Sequence, residues 1–222
     1  AYQTAWLKAH YPAAFMAAVL SADMDSTDKV VRLIEECRVI GISVAPPAIN
    51  SCAFRFSVAD PGTIRYGLGA LKGLGEAVIS AMVEERKTSG DYGDLVDLCK
   101  RNGERKLNRR ALEALIKAGA LDCFGPTRPM LIAALDGALQ VTDQHVKAKV
   151  SGQSDFFGLE TSTNGADESA VLDLAATLQV RTWSQEELLA GEKETLGLYL
   201  SGHPIDRYRL ELDDFASCTL AE

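Results

Sequence analysis

The residues whose types and spacing could do chemistry begin at Leu71-Lys72-Gly73-Leu74-Gly75-Glu76, followed by Ala77, Val78, Ile79, Met82 and Val83. This stretch reads as a short helix, a glycine–hydrophobe–glycine turn and an amphipathic second helix. Two glycines let the backbone come close to a phosphate, and the N–H groups that open the second helix point at it. Lys72 adds a mobile positive charge. Such a contact grips a nucleic-acid backbone and reads no base sequence. The competing reading is an ordinary tight turn between packed helices. Nucleotide-binding loops are excluded. Gly67-Leu68-Gly69-Ala70-Leu71-Lys72 carries Lys where a dinucleotide fingerprint needs Gly or Ala, and no Gly-Lys-Ser/Thr occurs.

A second signal is basic. Lys100, Arg101, Arg105, Lys106, Arg109 and Arg110 place six cations in eleven residues, opposed only by Glu104. The run leads through apolar Ala111, Leu112 and Ile116 to Gly119, then to Gly125-Pro126-Thr127-Arg128, a degenerate copy of the first turn. The first segment fits the helix-hairpin-helix pattern, and two such units pack as one compact DNA-binding module. A solvated helix face is the competing reading of the cations. A third signal is Gln153-Ser154-Asp155-Phe156-Phe157. Two adjacent Phe in a polar stretch suit a docking peptide, whose aromatics fill a pocket while Gln fixes the register. Asp23, Asp25 and Asp28 lack the glycine and terminal Glu of a calcium loop and read as helix caps. His10, His145 and His203 have no metal-ligand spacing. No nucleophile–base arrangement can be argued.

These residues need elements to hold them. Tyr2, Ala5, Trp6 and Ala9 keep one apolar face at helical spacing. Pro12 opens a second helix, where its missing N–H costs nothing. Asp25 or Ser26 caps a third, carrying Val30, Val31, Ile34 and Cys37, and Gly41 with Pro46-Pro47 ends this region. Residues 53–58 alternate as a strand, Asp60-Pro61-Gly62 is a turn and residues 63–66 return, a small β-hairpin. Helices are predicted near 94–101, over 107–118 and over 128–149. From 151 to 181 periodicity fades into a flexible connector, with a short helix expected at 168–177. Ser184-Gln185-Glu186-Glu187 is a capping box opening a helix to about Leu200. The expected fold is therefore mainly α: a helical end, a small β-hairpin, a tandem helix-hairpin-helix domain, a flexible linker and a C-terminal helix. The expected segments are 1–61, 62–152 and 153–222.

Composition bounds the alternatives. With 222 residues, 47% hydrophobic and 24% charged, wholesale disorder is excluded. The longest apolar run, residues 13–20, is too short to span a bilayer, so no membrane role is expected. Five scattered cysteines without a C-x-x-C pair argue against a disulfide framework or zinc finger and fit a reducing cytoplasm. The chain opens on Ala1, which suggests a fragment. The net charge of -8 is uneven. Residues 1–61 hold 5 basic and 6 acidic residues, 62–152 hold 14 and 11, and 153–222 hold 4 and 14. A nucleic-acid contact therefore belongs in the middle segment.

Long runs of the chain closely resemble the bacterial replicative DNA polymerase III alpha subunits, the family C DNA polymerases. Residues 2–20, 28–31 and 46–50 resemble the C-terminal fingers helices. Residues 66–76 resemble the family's helix-hairpin-helix, and 106–110 with 119–122 resemble the segment just C-terminal to it. Gln153-Ser154-Asp155-Phe156-Phe157 sits where the family carries its sliding-clamp motif, although Phe156 departs from the aliphatic residue or Met often found there. Residues 191–205 resemble the lead into an OB domain, and only about 160–182 is unassigned. The resemblance implies a template-directed nucleotidyltransferase using two Mg2+ ions on palm aspartates that would lie before Ala1. This chain is then expected to be non-catalytic and to carry no cofactor or metal itself. It would hold primer-template duplex through Lys72, Gly73, Leu74, Gly75, Arg105, Lys106, Arg109 and Arg110. It would also tether the polymerase holoenzyme to the beta sliding clamp in the bacterial cytoplasm through residues 153–157. Two alternatives stay open: a hairpin module of a repair or recombination protein, and a scaffold whose glycines only make turns.

Overall fold

Apolar residues that recur every three to four positions set the helices of the chain, seen in a computed structural model that describes residues 2–103, 107–150, 180–208 and 211. Helix α1 is Tyr2–His10 and α2 is Pro12–Ala22, with Pro12 at the first turn as expected. Helix α2 buries Ala13, Met16, Ala17 and Leu20, a stripe at i, i+3, i+4 and i+7. Helix α3, Thr27–Val39, buries Val30, Ile34 and Cys37. Its end is closed by two backbone bonds, from Ile42 N–H to Cys37 O at 2.8 Å and from Gly41 N–H to Arg38 O at 3.1 Å. The chain then enters the sheet directly.

That sheet differs from the expected hairpin. It has three strands in the order β1-β3-β2: β1 Ser43–Ala45, β2 Ser57–Asp60 and β3 Thr63–Arg65. Strands β2 and β3 form the antiparallel pair foreseen, with Val58 opposite Ile64. Strand β1 pairs parallel with β3, Val44 opposite Ile64. Three residues are too few to show alternation, so β1 left no sequence signal. Residues 53–56 are not strand, although their alternation suggested it. Ala53 and Phe54 instead accept the N–H groups of Leu68 and Gly69, at 2.9 and 2.8 Å. A Cβ on Gly69 would lie 2.6 Å from the Phe54 ring, and one on Gly67 would lie 2.7 Å from Phe56 N. These two glycines serve close backbone approach. The expected first helix of the hairpin is one 3-10 turn, Leu68–Ala70; Leu71 then turns extended and Lys72 N–H bonds Thr195 O, so the helix does not continue.

Beyond the hairpin come α4 Glu76–Ser89, α5 Leu95–Asn102, α6 Arg109–Lys117 and α7 Arg128–Val150. Asp94 caps α5 by accepting Asp97 N–H at 2.8 Å. Helix α7 packs against both α5 and α6, burying Leu131, Ala134, Leu135 and Ala138. Helix α8, Gln185–Leu196, opens on the expected capping box. Ser184 Oγ accepts Glu187 N–H at 3.2 Å, and Glu187 Oε2 accepts Ser184 N–H at 2.8 Å. The Ser184 N–H, opposed by burial and aided by Arg181, holds the Glu187 carboxyl below its ordinary range. The helix stops at Leu196, short of the predicted Leu200, because Gly197 adopts a left-handed φ of 80° and its N–H closes on Lys193 O. One continuous apolar core runs from Ala13 to Leu198, and the sheet pairs strands across residues 61 and 62.

The loop between α4 and α5 is built on Tyr92, which is 2% exposed. Its hydroxyl donates to Met82 O at 2.8 Å and accepts from Asn102 Nδ2 at 3.0 Å. Asn50 bonds its backbone on both sides, and Arg101 lies 4.3 Å over its ring. Tyr92→Phe should therefore lower the unfolding free energy by about 1–2 kcal/mol, as expected for losing buried hydrogen bonds. Lys87→Ala, which removes an exposed pair with Glu84, should change it by less than about 0.5 kcal/mol. Urea unfolding of the two variants checks both values.

Candidate nucleic-acid interface

Lys72 and Gly73 sit on the exposed turn that leads into α4. Gly73 has a φ of 88°, a conformation that a side chain would strain. The turn is held from behind, where Lys72 N–H donates to Thr195 O of α8 at 3.1 Å. Opposite it lies the start of α6. Asn108 Oδ1 caps that helix by accepting Ala111 N–H at 2.8 Å. Burial of Ala111, Leu112, Leu115 and Ile116 fixes the rotation of α6. Arg109, Arg110, Glu113 and Lys117 are thereby left on its outer side.

The two elements meet. A Cβ on Gly73 would lie 4.0 Å from Arg110 Nε. Lys72, Gly73, Arg109, Arg110, Glu113 and Lys117 line one open cleft of about 670 Å³, walled on the far side by Glu194 and Thr195 of α8. Its charge is partly cancelled. Arg109 pairs with Glu113 at 2.7 Å and with Asp136 of α7. The Glu113 hydrogen bond and then the Asp136 charge push the Arg109 guanidinium further into its protonated form. Lys117 Nζ lies 2.8 and 3.0 Å from the two Glu194 carboxylate oxygens. Lys72 and Arg110 carry no ion pair among the described residues. They are the two cations of the cleft most open to a phosphate.

The far wall is anchored by a buried charge. Glu192 is 2% exposed. It faces Arg128 at 3.4 Å, and its Oε2 accepts the N–H groups of Leu200 and Ser201 at 2.9 and 3.1 Å. Arg128 also pairs with Asp122 at 2.8 Å and donates to Lys117 O at 3.2 Å. Burial alone would lower the Arg128 pKa, but Asp122 and Glu192 outweigh it and the net shift is upward.

The other expected site residues are placed apart. Leu74 faces a neighbouring cleft with Asp25, Phe54, Arg55 and Glu76. Gly75 is the residue before α4, with Glu76 in the first turn, where a carboxylate suits the helix dipole. Arg105 and Lys106 lie outside the described residues, as do Gln153, Ser154, Asp155, Phe156 and Phe157. Arg101 does not join the basic cluster. It turns inward, 16% exposed, onto Glu85, Gly90, Asp91 and Asp97. Among the described residues, no group of three His, Cys, Asp or Glu could hold a metal ion. No described helix is long and apolar enough to cross a membrane. Sequence reasoning missed Lys117, Glu113 and the α8 wall. Arg110, Glu113 and Lys117 recur at i, i+3 and i+7, a pattern that puts them on one helix face. The contribution of α8 is long-range and had no local signal.

These features define a helix-hairpin-helix protein, and the helix-hairpin-helix motif family matches residues 41–131. The whole chain is 49% identical over 221 residues to the DNA polymerase III subunit alpha of Vibrio cholerae serotype O1, covering 19% of that protein. It is 49% identical to the Escherichia coli (strain K12) subunit over 96% of the chain and 18% of the relative. The Pseudomonas aeruginosa subunit is 45% identical over the full chain and 20% of its own length. The chain belongs to the DNA polymerase III alpha subunit family and spans about a fifth of the length of these relatives.

Glu192→Ala should cost about 3 kcal/mol of stability, because it leaves the N–H groups of Leu200 and Ser201 without their acceptor and removes one of the two carboxylates that face the largely buried Arg128. Hydrogen exchange should rise across residues 185–196 before it rises in α7. Equal protection of α8 in variant and wild type would contradict the anchoring role.

Proposed function

We propose that this chain holds the primer-template duplex of a replicative DNA polymerase by its phosphate backbone and tethers the enzyme to a sliding clamp. The observation that carries the first half is the meeting of the Gly73 turn with Arg109 and Arg110 in one cleft. A phosphate there faces the mobile ammonium of Lys72, the guanidinium of Arg110 and a backbone turn free of side-chain bulk. The match to the helix-hairpin-helix family and to DNA polymerase III alpha subunits supports the same reading. The segments proposed are a fingers end at 1–61, a DNA-binding domain at 62–152 and a clamp-binding and linking region at 153–222. Nucleotidyl transfer, with its magnesium ions, belongs on this reading to other parts of the polymerase. The chain itself is non-catalytic and works in the bacterial cytoplasm within the polymerase holoenzyme.

The grip is modest by design. Two of the four cations in the cleft, Arg109 and Lys117, already have carboxylate partners, so the duplex can slide through it. Processivity then comes from the tether. Phe156 and Phe157 enter a pocket of the clamp, and Gln153, Ser154 and Asp155 align the backbone, which raises the local concentration of polymerase at the primer end.

Two measurements test the halves separately. Lys72→Ala with Arg110→Ala should weaken duplex binding about tenfold at low salt and make the log–log salt dependence shallower by about two. Unchanged affinity would remove the DNA reading. Phe156→Ala with Phe157→Ala should abolish calorimetric binding to the bacterial sliding clamp and leave duplex affinity intact. Retained clamp binding would remove the tether.

A further inference from the structure

The wall of the cleft carries a charge of the wrong sign for a phosphate site. Glu194 is 64% exposed, yet both of its oxygens lie within 3.0 Å of Lys117 Nζ, on the cleft lining. Nothing in the fold requires this pair. Helix α8 is already held by Glu192 on Arg128 and by Thr195 O on Lys72 N–H. Lys117 keeps its place through its backbone carbonyl, bonded by Arg128, and through the packing of α6. The Glu194–Lys117 contact is therefore an addition to a wall that stands without it.

We propose that Lys117 is a further phosphate-binding residue of the cleft and that Glu194 is its built-in competitor, occupying the ammonium until a phosphate oxygen displaces it. The proposal rests on the reading that duplex phosphates enter this cleft. An entering phosphate meets Lys72 and Arg110 first, since neither has an ion-pair partner among the described residues. Lys117 lies two helical turns from Arg110 on the same face of α6, a rise of about 10 Å. That separation, with the reach of two long side chains, brings a neighbouring phosphate of the same strand within range of Lys117. An exposed ion pair is weak and salt-screened, so exchange of one oxyanion for another is nearly balanced. The outcome is a site whose second contact engages only when DNA is seated, with Glu194 taking over as the duplex leaves. Helix α8 thus takes part in DNA release as well as in the wall.

The test is duplex binding by fluorescence anisotropy with the full 222-residue chain over a salt series, in wild type, Glu194→Gln, Lys117→Met, the double variant and Arg110→Ala. Glu194→Gln should tighten binding about threefold to tenfold at low salt, since it removes a competing anion beside a phosphate contact. Lys117→Met keeps the packing stem and should erase that gain in the double variant. A gain that persists in the double variant would overturn the proposal, because Glu194 would then act only as a general repelling charge. Unchanged affinity in Glu194→Gln with weakened binding in Arg110→Ala would overturn it while leaving the DNA cleft in place. Unchanged affinity in both would overturn the cleft reading itself. Thermal melts of each variant confirm that α8 stays docked.

Discussion

A carboxylate at 2% exposure needs partners that replace water, and Glu192 has them. Arg128 supplies the counter-charge, and the N–H groups of Leu200 and Ser201 supply hydrogen bonds. This one group ties helix α8 to the distant start of α7 and to the segment just beyond α8. The cost of breaking such a cluster is larger than its net gain over an apolar substitute. It therefore acts as a registration pin. It sets where α8 lies, and so where Thr195 O meets the Lys72 N–H and where Glu194 meets Lys117.

From that pin the electrostatics of the cleft follow. Four cations converge on an open groove, yet Arg109 and Lys117 have carboxylate partners. A site with every cation free would bind DNA tightly and move along it slowly, because each phosphate contact adds its share of counterion release. On the proposed function, partial neutralisation gives a weaker and more mobile hold.

Much of this was legible in the sequence, and the exceptions share a cause. Helices α1 to α3, α5, α6, α7 and the Ser184 capping box were readable because their signals are local. Lys72, Gly73, Arg109 and Arg110 were readable as cations and glycines at hairpin spacing. Strand β1 was not, because its parallel partner lies twenty residues away. Nor was the shrinkage of the first hairpin helix, where Leu71 turns extended and Lys72 N–H bonds the distant Thr195 O. Arg101 looked like part of a basic patch because sequence cannot show that Tyr92 and three carbonyls capture it. Lys117 and Glu194 are 77 residues apart, and only the folded chain makes them a pair.

Duplex lying against the Gly73 turn and the outer face of α6 is the placement on which the proposed function turns. Amine labelling of the lysines, read by mass spectrometry with and without duplex, tests it most directly. Duplex should protect Lys72 strongly and leave Lys87 unprotected, since Lys87 sits near the other end of α4, roughly 15 Å away along its axis. Equal labelling of Lys72 in the two conditions, at a duplex concentration that saturates binding, would contradict that placement.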